Sequence, residues 1–329
     1  MENAMTDSME AKLKHEILSS PCLFPMDRSL DGQTVHFIRL SEGDYRRASF
    51  MDQRLLTEAN KSGITYKSGN VPWNVLSPWV QDLPVRCDFI FHVSHAGSTL
   101  LSRILGEHPN CFAVREPWIL RSLIDPEANS QVQEYLALWS RTFNPRQRTI
   151  IKATSFVSQI GATLMQIAND SKAILMYVPA ETFLASVLDG SMGDIDSSST
   201  QRMERLKRNL SFGQLSLSQL TPGERAAMSW HVEMESLRSL QQALPDRTLM
   251  IDFDKFLVDR ENHIKYIADF FGLVGHETEM LTNPLANRYA KKIEVSYDAD
   301  FRLKLLQQSK VKYAQEIERG LKWLMSIGQ

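Results

Sequence analysis

FIFHVSHAGSTLLSRIL, residues 89–105, decides how the chain is read. An apolar run ends in a short turn holding Gly97. Ser98 and Thr99 then open a stretch in which Leu100, Leu101, Ile104 and Leu105 recur at helical spacing. That pattern is a strand, a tight turn and an amphipathic helix. Such a turn aims backbone N–H groups and a helix N-terminus at one point, and the hydroxyls of Ser98 and Thr99 add donors. The combination suits a phosphate or a sulfate. Glycine belongs where the backbone must bend sharply and approach an anion with no Cβ in between. On these residues alone a second reading stays open, in which Ser98 merely caps an ordinary strand–helix unit. The segment departs from the phosphate loop of nucleotide hydrolases, which has Lys directly before its Ser/Thr; here Ser98 precedes Thr99.

Outward from this segment, short apolar runs alternate with helical stretches. CDFIFHV (87–93), CFAV (111–114), RTIIKA (148–153), KAILMYV (172–178) and TLMIDF (248–253) read as strands, with helical spacing between them. Strands alternating with helices predict an α/β fold with a central parallel sheet flanked by helices. Upstream, TVHFIRL (34–40) alternates like a strand, and EGDYRRASFMDQRLL (42–56) has helical spacing at Tyr45, Phe50 and Leu55. Thr221, Pro222 and Glu224 supply an N-cap, a first-turn proline and a capping-box acid, so a long helix starts there. DGSMGDIDSSST (189–200) has little to bury and reads as a mobile loop or lid. The basic run after it, Arg202, Arg205, Lys207 and Arg208, is either a solvated helix face or an anion clamp. A last helix over about 312–326 carries Tyr313, Ile317, Leu321 and Leu324 on one side, a stripe that reads as core. These signs divide the chain into a flexible polar N-terminus (1–20) and one domain (21–329). The domain has a preamble (21–86), a core (87–273) and a C-terminal extension of helical additions (274–329).

Composition narrows the function. Lys plus Arg number 37 against 39 Asp plus Glu, a net charge of -2 over 329 residues. Nothing in that balance draws the chain to nucleic acid or to anionic lipid, and neither is expected as a partner. Cys22, Cys87 and Cys111 are too scattered for a disulfide framework or a four-Cys zinc site, so no metal site is expected. Their small number fits a reducing cytoplasm. No apolar run approaches the ~20 residues of a membrane span, and the first residues lack the apolar stretch of a signal peptide.

HAGSTLLSRILGEHPNCFAVREP (95–117) resembles the 5′-phosphosulfate-binding segment of the PAPS-dependent sulfotransferase superfamily, in its bacterial form. The resemblance runs from about 87 to 273. It includes TLMIDFDKFLVDRENHIKYIADFFGL (248–273), similar to the family's late strand, acidic turn and closing helix. It implies a P-loop NTPase-like α/β fold. It also implies transfer of a sulfuryl group from PAPS, leaving PAP, to a hydroxyl or amine on a small molecule or peptide. His95, Ala96, Gly97, Ser98, Thr99, Leu100 and Ser186 then hold the donor. Two positions depart from the family. His95 stands where it usually has Lys or Arg, and Val178 stands where an Arg grips the 3′-phosphate. Either Arg202, Arg205, Lys291 or Lys292 compensates from elsewhere, or the donor lacks a 3′-phosphate, or there is no transfer activity.

Three residues are the expected catalytic groups. Glu116 ends a strand, where open parallel sheets face their ligand crevice, and the resemblance, to a family that often has a carboxylate base in this region, implies that it is the base. The alternative is a salt bridge to Arg115 or Lys152. Lys152 ends the next strand, in IKATSF, which resembles the lysine-hydroxyl-aromatic segment that some sulfotransferases place near the transferred group. The resemblance implies a cation that neutralises the leaving oxygen, and the alternative is a lysine reaching out from a strand end. His95 is a hydrogen-bond donor, a base or a substitute cation, and is equally well a structural loop residue. His92 reads as a satisfied core histidine, and His108 as part of a helix-ending turn. Besides sulfotransferase, two functions stay open. One is a phosphotransferase or nucleotide hydrolase with Asp252 near Mg²⁺; the other is a nucleotide-binding module without catalysis.

Overall fold

The computed structural model of the chain describes residues 2–190, 192–208, 215–284, 288–289, 292–296 and 298–327. Strands β1 (Leu23–Arg28), β2 (Thr34–Arg39) and β3 (Ser68–Pro72) form an antiparallel sheet in that order. The core strands are β4 (Cys87–His92), β5 (Cys111–Arg115), β6 (Arg148–Lys152), β7 (Ala173–Tyr177) and β8 (Thr248–Asp252). They form one parallel sheet in the order β5-β6-β4-β7-β8. Each lies within about one residue of the apolar run that predicts it. The runs are legible because both faces of the sheet are covered: all six residues of β4 and all five of β5 are buried. β9 (Arg288–Tyr289) and β10 (Lys292–Ser296) pair antiparallel beyond the core.

The order places β4 between the two directions in which the chain winds. From β4 it crosses to β5 and returns to β6 on one side, then continues to β7 and β8 on the other. The crevice beyond the carboxyl ends of such strands is where open α/β sheets bind ligands. Parallel register sets Ile90 beside Lys152, Arg115 beside Lys152, and Tyr177 beside Asp252. The turn after β4, Glu116 and Lys152 therefore share one edge of the sheet.

The Pro222–Ala243 helix begins as expected. Thr221 accepts from the Glu224 amide at 3.3 Å and Glu224 accepts from the Thr221 amide at 2.7 Å. This helix packs on the Ala180–Leu188, Met192–Lys207 and Ala314–Ile327 helices. The last of these buries Ile317, as its stripe predicts.

Three expectations need correction. Residues 192–207 form a helix rather than a mobile loop. Beyond its Ser- and Asp-rich start, Met203 and Leu206 are buried against Met228 and Val232, which supplies the apolar anchor its first half lacks. The stretch 42–56 is two helices, Glu42–Arg47 and Gln53–Lys61, because Ser41 and Asp52 each cap a new start. The first 20 residues do not stay frayed to the end. The Glu2–Ser19 helix buries Ile17, and Arg141 donates to the carbonyls of Ile17 and Ser20 at 2.5 and 2.8 Å.

Candidate functional site

The chain leaves β4 through three left-handed residues: Ser94 (φ +74°), His95 (φ +50°) and Gly97 (φ +68°). Gly97 is the N-cap of the Ser98–Leu105 helix and makes no side-chain cap bond. Ser98 is thus the first helical residue, not the cap, and the reading of it as an ordinary cap falls. Gly97 is required twice over. Its φ is strained for any residue with a Cβ, and a Cβ there would lie 1.9 Å from Cε2 of Phe253. Ser98 and Thr99 are buried, yet among the described residues neither hydroxyl has a hydrogen-bond partner. Both line a cavity of about 270 Å³.

His92 fixes the base of the turn. It is buried; its Nδ1 accepts from the Ser94 amide at 2.9 Å and its Nε2 donates to the Ala153 carbonyl at 2.9 Å. Burial, with Lys152 nearby, pushes its pKa well below the usual value, so the ring is neutral in the tautomer those bonds need. It is the satisfied histidine that its strand position predicts. His108 closes its helix-ending turn, accepting from the Asn110 amide at 3.1 Å.

Glu116 follows β5 with φ +54°, and its amide donates to the Lys152 carbonyl at 2.6 Å. Its carboxylate contacts the Lys152 ammonium and the Arg54 guanidinium directly. Burial lowers the pKa of Lys152, and the Glu116 carboxylate works against that. Arg54 also holds Asp52 at 2.6 Å. The ring of Phe50 lies under both cations, 3.5 Å from the Arg54 guanidinium and 5.1 Å from the Lys152 ammonium.

Arg115, next to Glu116 in sequence, points elsewhere. It donates to the Tyr45 and Ala48 carbonyls at 2.8 and 2.7 Å, the last turn of the Glu42–Arg47 helix. The Met51 amide in turn donates to the Arg115 carbonyl at 2.5 Å. These bonds clamp the preamble onto β5 and deliver Phe50, Asp52 and Arg54 to the site.

One cavity thus collects the residues expected to hold the donor's 5′ end and to catalyse, together with Ser186. His95, Ala96, Gly97, Ser98, Thr99 and Leu100 line it from the turn, Glu116 and Lys152 from the neighbouring strands, and Ser186 from the Ala180–Leu188 helix. The Ser186 hydroxyl donates to the Thr182 carbonyl at 2.8 Å. His95 meets the ring of Phe183 edge-on at 6.4 Å. Phe50, Arg54, Phe253 and Arg302 line the cavity too, and the sequence reading missed them. Asp52 as a helix cap was the available signal for the first pair. Arg302 comes from the Ala299–Lys312 helix, far along the chain, with no local signal. Its guanidinium lies 4.7 Å from the Phe253 ring centroid and pairs with Asp254 at 2.7 Å.

The compensating cations do not assemble as expected. Val178 is buried, with its carbonyl accepting from Trp230 at 2.9 Å. Arg202 and Arg205 both pair with buried Glu233, at 2.9 and 2.8 Å, and neither lines the cavity. They tie two helices together instead of clamping an anion. Lys291 and the side chain of Lys292 lie outside the described residues. Asp252 caps the Phe253–Val258 helix, accepting from the Asp254 amide at 2.9 Å.

No helix among the described residues is long and apolar enough to cross a membrane. No family model matches the chain, and no curated protein matches it. Several solved structures are similar to it. The sulfotransferase domain from the curacin biosynthetic pathway has a TM-score of 0.43 at 16% identity, over 74% of this chain and 98% of that one. Sulfotransferase STF9 from Mycobacterium avium has 0.41 at 13% identity, over 72% and 78%. Sulfotransferase STF1 from Mycobacterium tuberculosis H37Rv has 0.40 at 13% identity, over 79% and 82%. What the site does chemically rests on its own residues.

Proposed function

We propose that the protein transfers a sulfuryl group from PAPS to a hydroxyl or amine acceptor. One observation carries this reading: the left-handed turn, the two hydroxyls without a partner among the described residues, and the Glu116–Lys152 pair face the same cavity. Consecutive amides in such a turn, with a helix N-terminus behind them, form a cradle for a tetrahedral anion. The 5′ end of the donor fits it. The 3′-phosphate does not find its guanidinium at Val178. Arg302, with Leu305 and Leu306 beside it in the lining, is assigned that end.

In transfer, an acceptor oxygen or nitrogen forms a bond to sulfur as the bond from sulfur to the phosphate oxygen breaks. Glu116 takes the acceptor's proton, and Lys152 neutralises the charge arriving on the phosphate oxygen. Glu116 is engaged by two cations, so the acceptor must displace Arg54, the half-exposed one, to reach it. His95 donates to a donor oxygen. Mg²⁺-nucleotide chemistry is the weaker reading, since Asp252 spends its carboxylate on a helix cap.

A thermal-shift titration tests the proposal, because a ligand preferring the native state raises its stability. PAP or PAPS is expected to stabilise without Mg²⁺. Stabilisation by ATP or GTP only with Mg²⁺ would favour phosphotransfer, and no effect of any nucleotide would leave a scaffold without donor recognition.

A further inference from the structure

Past Glu116 the chain runs through Pro117 and Trp118 into the one-turn helix Ile119–Ser122. The Arg121 guanidinium lies 4.8 Å from the ring centroid of Trp118 and 5.0 Å from that of Phe156. Guanidinium carries five N–H donors on its edges. Among the described residues no carboxylate or carbonyl accepts from them, although Arg121 is half-buried. It lines a second cavity, of about 870 Å³.

The other charges of that cavity are committed or exposed. Arg28 donates to Gln131 at 2.9 Å, and Arg205 belongs to Glu233. Arg208 is exposed. Of the five lining carboxylates, Asp31, Asp125, Glu127 and Glu204 are exposed. Asp31, Asp125 and Glu204 have partners in Ser29, the Glu127 amide and Lys207, and half-buried Asp27 accepts from the Arg28 amide at 2.8 Å. Arg121 is close to the first site as well. Burial lowers its pKa, and the carboxylates of Glu116 and Asp52 oppose that.

We propose that this cavity receives the acceptor and that Arg121 binds an anionic group on it: a carboxylate, sulfate or phosphate carried beside the hydroxyl or amine that reacts. The proposal rests on the sulfuryl-transfer reading of Glu116 and names the substrate class of that site. Two aromatic rings hold the guanidinium without consuming its donors, so little rotamer freedom is lost when an oxyanion takes them. The cavity's size suits a whole small molecule.

The test uses the full chain labelled with ¹⁵N-arginine, without donor. Acetate, sulfate and phosphate are titrated against chloride at equal ionic strength, and the Arg121 Nε–H resonance is followed. Its assignment comes from Arg121→Lys, or from contacts to Trp118 and Phe156 ring protons if that variant fails to fold. A saturable shift with at least one oxyanion, absent with chloride, is expected. Response to acetate alone specifies a carboxylate acceptor, and response to sulfate or phosphate a tetrahedral one. Shifts no larger than chloride's with all three overturn the proposal. Because no donor is present, that failure is distinct from a missing effect of PAP on stability.

Discussion

Gly97 lies so close to the ring of Phe253 that a Cβ on it would sit 1.9 Å from Cε2. Phe253 is buried, stacked on Phe256 at 6.0 Å and covered by the Arg302 guanidinium, so the ring cannot move aside cheaply. The turn after the first core strand and the helix after the last one are thereby held in one arrangement, which sets the shape of the cavity between them.

Gly97→Ala is expected to cost ~2–4 kcal/mol, from the left-handed φ and from overlap with Phe253. Equilibrium denaturation measures it. Shortening the ring relieves only the overlap, so Gly97→Ala and Phe253→Leu together should cost less than the sum of the two changes. Strict additivity would show that the two residues do not press on each other.

Glu116→Gln and Lys152→Ala should each abolish sulfuryl transfer while leaving PAP affinity within roughly a few-fold of the wild type, since base and charge neutraliser act mainly in the transition state. Full turnover in both variants would remove these residues from the chemistry.

The same pair predicts a pH dependence of stability. Burial, the larger influence, lowers the Lys152 pKa from 10.5, and Glu116 partly restores it. Between the lowered folded value and the unfolded one, the unfolded chain binds more protons, so stability rises with pH. Glu116→Gln removes the restoring charge and extends that window downward. It should cost about 3 kcal/mol or more near neutral pH, with part recovered as pH rises. The Glu116→Gln, Lys152→Met double variant lacks the titrating group and should not show this recovery. Parallel pH profiles for the two would contradict the assignment.

Arg302 and Glu233 separate donor recognition from structure. Arg302→Ala should weaken PAP binding about tenfold or more, the value of a hydrogen bond to a charged group. Glu233→Ala leaves two buried guanidinium groups without their carboxylate and should cost about 3–5 kcal/mol of stability, with little change in PAP affinity. The reverse pattern, measured by calorimetry and denaturation, would return the clamp to Arg202 and Arg205.

The strands were legible because a sheet buried on both faces demands continuous apolar runs, and β4, β5, β6, β7 and β8 all have them. The turn after β4 was legible because Gly97, Ser98 and Thr99 sit together in the chain. The 192–207 helix was not, since its Gly, Ser and Asp content resists helix and its anchor comes from Met228 and Val232 on another element. Arg54, Arg121 and Arg302 were missed for a related reason. Each is an ordinary surface-type residue in sequence, and only the clamp of Arg115 on the preamble, the rings of Trp118 and Phe156, or the return of the C-terminal helix gives it a place in a cavity.

The most direct measurement is a crystal structure with PAP bound. The 5′-phosphate is expected within hydrogen-bond distance of the backbone amides of Gly97, Ser98 and Thr99, with the 3′-phosphate toward Arg302. A nucleotide bound elsewhere, or a turn that stays without a phosphate at saturating PAP, would contradict the account.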